Sequence, residues 1–102
     1  MTRKVVRIGG ASGFWGDSSL GAPQLLRRSK VDYLVFDYLA ELTMSVLASA
    51  RLKDPRAGYS TDFATVTMRE VLRDLKKQNV RVVTNAGGMN PRACADAVAE
   101  IA

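Results

Sequence analysis

A chain of 102 residues has room for one small domain and is too short for two full cores. Hydrophobic residues at 47% and charged residues at 25% mark a globular chain rather than a disordered one. No apolar run approaches the roughly 20 residues that span a bilayer, so no membrane partner is expected. The formal charge of +5 invites a nucleic-acid reading, which the distribution of that charge argues against. Arg3, Lys4 and Arg7 are isolated at the start, while Arg27-Arg28 and Lys76-Lys77 fall where helices end and complement the helix dipole. No base-stacking or base-reading motif accompanies them.

In chain order, Lys4–Gly9 is a β-branched run stopped by glycine and predicts a first strand. Arg7 interrupts its apolar stretch and glycines follow at once, so the segment reads as a strand rather than a signal peptide. Small residues follow to Ser19, and Pro23 then marks the first turn of a short helix, Pro23–Ser29. Val31–Asp37 is nearly continuously apolar, as a strand buried on both faces would be. Leu39, Leu42, Val46, Leu47 and Ala50 recur at helical spacing and predict a helix that stops before Asp54-Pro55. After a Pro/Gly break, Ser60 or Thr61 is the expected cap of a helix with the stripe Ala64, Met68, Val71, Leu72 and Leu75. Asn79 ends it, and Val80–Thr84 is the third strand. Asn85–Met89 forms a second small-residue loop, and Asn90-Pro91 opens a last helix with the stripe Cys94, Ala97, Val98 and Ile101.

Alternation of strands with helix-length crossovers implies an α/β domain with a parallel sheet. We expect a three-layer, Rossmann-like sandwich with helices on both faces and strand order 2-1-3. Three strands leave two unpaired edges, and the last apolar stripe runs to the end of the chain, so residues 1–102 read as a truncated part of a longer domain.

Ligands of open parallel sheets bind at the carboxyl ends of the strands, and three segments leave strands there. In the first, Gly10, Gly13 and Gly16 would bare backbone N–H groups to a ligand, with hydroxyls from Ser12, Ser18 and Ser19. Its spacing fits neither a dinucleotide fingerprint nor a phosphate-binding loop closed by Gly-Lys-Ser/Thr, and Asp17 would repel a phosphate. A plain turn with Phe14 and Trp15 plugging the domain or a partner is the competing reading. In the second, Asp37 and Glu41 lie four residues apart and form a carboxylate pair suited to acid/base chemistry, or a helix cap with a dipole-complementing Glu. In the third, Asn85, Gly87, Gly88 and Asn90 offer donors and acceptors over bare backbone, with Asn90 also placed to cap. Cys94 sits on an apolar stripe and reads as core. One cysteine excludes an internal disulfide and fits a reducing cytoplasm; the absence of histidine removes His-based triads, and no metal site is expected.

Four segments in this order, Gly10-Ala11-Ser12-Gly13-Phe14-Trp15-Gly16-Asp17, Asp32–Met44, Gly58-Tyr59-Ser60-Thr61-Asp62-Phe63 and Asn85-Ala86-Gly87-Gly88-Met89-Asn90-Pro91, resemble the N-terminal domain of the acyclic terpene utilisation (AtuA-like) family. The resemblance covers nearly the whole chain. It implies a role in bacterial catabolism of terpenes such as citronellol and geraniol, through acyl-CoA intermediates, with a small-molecule ligand, CoA-linked forms included, as partner. Members are several hundred residues long, which implies the rest of such a protein as another partner; a homo-oligomer is our own expectation from Phe14-Trp15 and the open sheet edge. The resemblance carries over no established catalytic residues. On our own reading Asp37 and Glu41 are the acid/base candidates, and Gly10, Ser12, Gly13, Gly16, Asp17, Asn85, Gly87, Gly88 and Asn90 are ligand contacts. The alternative is a non-catalytic assembly or accessory module.

Overall fold

The computed structural model describes residues 4–17 and 19–102; Arg3 and Ser18, weighed above, lie outside them. Three parallel strands form one sheet: β1 (Ile8–Ser12), β2 (Tyr33–Phe36) and β3 (Arg81–Thr84). Their spatial order is β1-β2-β3, which corrects the expected order 2-1-3. The burial of β2 gives the reason. Leu34 is 0% and Phe36 2% exposed, and Leu34 pairs with Gly9 on one side and Val82 on the other. A strand this apolar needs a neighbour at each edge, whereas the glycines of β1 and Arg81 of β3 tolerate an edge position.

This order also decides where the helices go. Parallel strands that step in one direction through right-handed crossovers place their connecting helices on the same face. Four helical segments share one core with Leu34 and Phe36. They are α1 (Gly21–Arg28), a π-helical turn (Phe63–Met68) continued by α3 (Arg69–Gln78), and α4 (Pro91–Ile101). The expected three-layer sandwich is therefore corrected to helices gathered on the Leu34/Phe36 face. The opposite face presents Ile8 and Val83, both more than half exposed, beside the half-buried Tyr33 and Val35. The remaining helix, α2 (Glu41–Lys53), stands at the strand-end edge, with Leu47 against Gly88 and Arg51 against Gly58. Of its expected stripe only Leu47 is buried, and Leu42 is 77% exposed.

Local boundaries shift for identifiable reasons. β1 runs to Ser12, past the expected stop at Gly9, because Gly10 and Ser12 pair with Val35 and Phe36. Gly21 makes this possible: a Cβ there would fall on the Ala11 carbonyl oxygen, so only glycine lets α1 start against the strand. α1 begins two residues before Pro23, which sits in the first turn, where its missing N–H is harmless. Ser60 does not cap its helix; its hydroxyl is buried without a hydrogen-bond partner. Asn79 closes α3 in the left-handed conformation (φ 57°), and Asn90 caps α4 by accepting from the Ala93 N–H at 3.3 Å. Arg27-Arg28 and Lys76-Lys77 occupy last turns, as their dipole reading requires.

Candidate functional site

At the carboxyl ends of the strands the chain builds two cavities of opposite character. Phe36, Tyr38 and Phe63 stand between them, packed edge to face with ring centroids 5.2 to 6.1 Å apart. Each such contact is worth about 0.5–1.5 kcal/mol beyond burial, so this wall is a firm one.

The larger cavity, about 500 Å³, lies beside β3 beneath the Asn85–Asn90 loop. Val82 and Thr84 form its strand wall, Phe63 and Met68 come from the π-helical turn, and Pro91, Cys94, Ala95 and Val98 come from α4. Leu39, Asn85, Gly87 and Gly88 close the upper side. The lining is overwhelmingly apolar, with Thr84 and Asn85 as its polar side chains. Burial pushes the Cys94 thiol above its ordinary range, which keeps it protonated and a poor nucleophile.

The loop above this cavity is tightly tied. Asn85 accepts from the Tyr38 N–H at 2.8 Å and donates to Asp37 Oδ1 at 2.9 Å, which locks the end of β3 to the end of β2. Asn90 Nδ2 donates to the carbonyls of Pro55 and Ala57, both at 3.0 Å. The Met89 N–H reaches the Gly58 carbonyl at 2.8 Å. Gly88 has φ 52°, and a Cβ there would strike Leu47 and the Gly58 carbonyl, so the turn requires glycine.

The smaller cavity, about 90 Å³, is a polar chamber at the ends of β1 and β2. Ser12, Ser19, Tyr38 and Thr67 bring hydroxyls to it, and Asp17 and Asp62 bring carboxylates. Burial raises the Tyr38 phenol above its ordinary pKa, opposed in part by the nearby hydroxyls of Thr67 and Ser12. Ser12 Oγ is nonetheless buried with no hydrogen bond of proper distance and angle. The first glycine loop is strapped beside this chamber by Trp15, whose Nε1 donates to Asp62 Oδ1 at 2.7 Å and whose N–H donates to the Tyr38 carbonyl at 3.2 Å. Asp17 turns back to accept from the Gly13 N–H at 2.9 Å.

The residues singled out in the sequence are thus divided rather than gathered. Asn85, Gly87 and Gly88 line the apolar cavity, and Ser12 and Asp17 line the chamber. Asp37 is exposed at the sheet edge, one hydrogen bond from the cavity through Asn85. Glu41 is exposed in the first turn of α2. Gly10, Gly13, Gly16, Glu41 and Asn90 line neither space. Sequence reasoning missed Tyr38, Asp62 and Thr67. Tyr38 and Asp62 lie inside the motifs given above, where nothing in their spacing singles them out. Thr67 is turned inward by a π-helical turn that no periodicity announced.

These features define the class of the domain: α/β, with a parallel sheet, helices gathered on one face and an apolar cavity at the strand-end edge. Within that class, the model of the acyclic terpene utilisation family protein AtuA matches residues 6–102, and the chain belongs to this family. Membership ties the chain to acyclic terpene utilisation. No curated protein and no solved structure shows a significant match to it. Among the described residues no helix is long and apolar enough to cross a membrane, and no group of three or more His, Cys, Asp or Glu could hold a metal ion.

Proposed function

We propose that the chain serves acyclic terpene catabolism by holding a branched acyclic acyl chain in the apolar cavity between β3 and α4. The observation that carries this reading is the apolar lining of that cavity, which suits a methyl-branched hydrocarbon. Its volume of about 500 Å³ lies inside the ~300–1,000 Å³ range of small-molecule pockets. The polar end of the ligand, a carboxylate or a thioester of the CoA type, sits at the rim beside Asn85 and Thr84. Asp37, held by Asn85, is the acid/base candidate at that rim; Glu41 stands farther along the same edge on α2. Titration of citronellate and citronellyl-CoA into the protein by calorimetry tests the reading. Binding that Val98→Trp abolishes, with the fold intact, supports it; equal heats for both proteins sink it.

A second reading, a non-catalytic assembly module, draws on the uncovered sheet face around Ile8 and Val83 and the exposed Leu42 of α2. Apolar surface of this kind marks interaction sites, and a second copy of the chain is the occupant we propose. Sedimentation of the native protein beside Val83→Lys separates the readings. A dimer that the lysine dissolves, with no terpenoid binding, favours assembly.

A further inference from the structure

We propose that the strand-start edge of the domain is a docking surface for an anionic lipid bilayer. The inference is independent of the terpenoid reading and follows from what a parallel sheet does to charge. Strands that run the same way all begin at one edge, and the helices that return the chain between them end there. The strand starts bring Lys4, Arg7, Lys30 and Arg81 to this edge, all of them exposed. Helices α1 and α3 end there on Arg27-Arg28 and Lys76-Lys77. Hydrogen bonds fix these pieces to one another. The Asp32 N–H donates to the Arg7 carbonyl at 2.8 Å, and the Arg81 N–H donates to the Asp32 carbonyl at 3.0 Å. Gln78 Nε2 donates to the Leu26 carbonyl at 3.0 Å, which ties the end of α3 to the end of α1. Cations that are dispersed along the sequence are thus gathered by the fold.

The acids of this edge are fewer: Asp32 between the strands, Asp74 on α3 and Glu100 at the end of α4. Among the described residues none of the cations just named is held in an ion pair. The strand-end edge instead mixes both signs, with Asp17, Asp37, Glu41 and Asp62 beside Arg56 and Arg92. Helix dipoles account for Arg27-Arg28 and Lys76-Lys77 but not for Lys4, Arg7, Lys30 and Arg81, which lead into strands. Like charges left unpaired on one edge repel one another, and an anionic surface relieves that repulsion. The kind of anion follows from what stands among them. Val5 and Val6, next to Lys4 and Arg7, are 69% and 48% exposed. Methyl groups flanked by cations suit a bilayer interface, where the cations meet lipid phosphates and the methyls reach the acyl boundary. Nucleic acid would give the valines no apolar partner. Among the described residues this edge also presents no exposed aromatic ring for base stacking. Docked this way, the chain keeps its strand-end edge and both cavities toward solution.

Vesicle flotation at physiological ionic strength tests this. Vesicles of phosphatidylcholine with about one-third phosphatidylglycerol should bind the native protein about tenfold or more tightly than phosphatidylcholine alone. Lys76→Gln/Lys77→Gln, with an unchanged circular-dichroism spectrum, should weaken that binding about tenfold. Val5→Ser/Val6→Ser should weaken it about fivefold. Arg56→Gln/Arg92→Gln removes as much charge from the other edge and should leave binding as it was. Equal binding to the two kinds of vesicle, equal losses from the two charge variants, or tighter binding to duplex DNA than to the anionic vesicles would overturn the proposal. If the lysine variant fails to fold, the salt dependence of the native protein decides the matter. Binding to the anionic vesicles that falls steeply with added salt supports the docking edge, and binding that molar salt leaves undiminished refutes it.

Discussion

A Cβ added to Gly87 would meet the Pro91 backbone at 2.7 Å, whereas one added to Gly10 would meet nothing within 4 Å, and one on Gly13 would make only ordinary contact with Asp17. The same contrast runs through the asparagines and acids of the two glycine loops. In the second loop Asn85 and Asn90 are occupied by backbone partners from Tyr38, just past β2, and from Pro55 and Ala57. In the first, Phe14 at the tip is 58% exposed, and Trp15 straps the loop across to Asp62. Similar composition therefore serves two ends: a rigid roof over the apolar cavity, and a looser flap beside the polar chamber.

The largest effect should come from breaking the roof. Gly88→Ala places a side chain in the left-handed region and against Leu47, at a cost of about 2–4 kcal/mol, read as a lowered denaturant midpoint. Asn85→Ala comes next. It strands the Tyr38 N–H and frees Asp37, and should cost about 1–3 kcal/mol by the same measurement. Gly13→Ala, in the flap, should stay within ~0.5 kcal/mol of the native protein. Equal losses from Gly88→Ala and Gly13→Ala would erase the distinction between the loops.

Alkaline titration sharpens the same contrast, because each cavity holds one buried acid. Cys94 and Tyr38 both have folded-state pKa values raised above their ordinary 9.0 and 10.0, chiefly by burial. The folded state then keeps its protons longer than the unfolded one. Each contribution is present in full below the ordinary value and is lost as pH rises through the folded one. Stability should fall first above pH 9.0, a slope that Cys94→Ala removes, and again above pH 10.0, a slope that Tyr38→Phe removes. The opposite sign belongs to Ser60→Ala. Removing an unpartnered buried hydroxyl should leave stability unchanged or raise it by up to ~1 kcal/mol.

Much of the fold was legible because the signals were local. The apolar run Val31–Asp37, the Asn90-Pro91 start and the Asn79 stop each fix an element from a few residues. Strand order was not, because it depends on which strand needs two neighbours, and the composition of β2 argued for the centre more strongly than the order 2-1-3 allowed. Misplacing β2 also misplaced the helices, since the handedness of crossovers converts order into faces. The site was legible as an edge and not as a constellation. Glycine content marked both loops but could not separate Gly88, which the turn demands, from Gly13, which has room. Thr67 and Ser12 owe their positions to a π-helical turn and a bulge, and neither leaves a periodic trace.

The central claim is that the cavity between β3 and α4 holds an acyclic terpenoid chain. Methyl-labelled protein, with Met68, Val82 and Val98 as reporters, tests it most directly through intermolecular nuclear Overhauser contacts to added citronellate. Contacts from all three methyls to the ligand's branched end, absent in Val98→Trp, are the predicted result. Citronellate that contacts none of them, or that contacts only the uncovered face around Val83, would contradict the account.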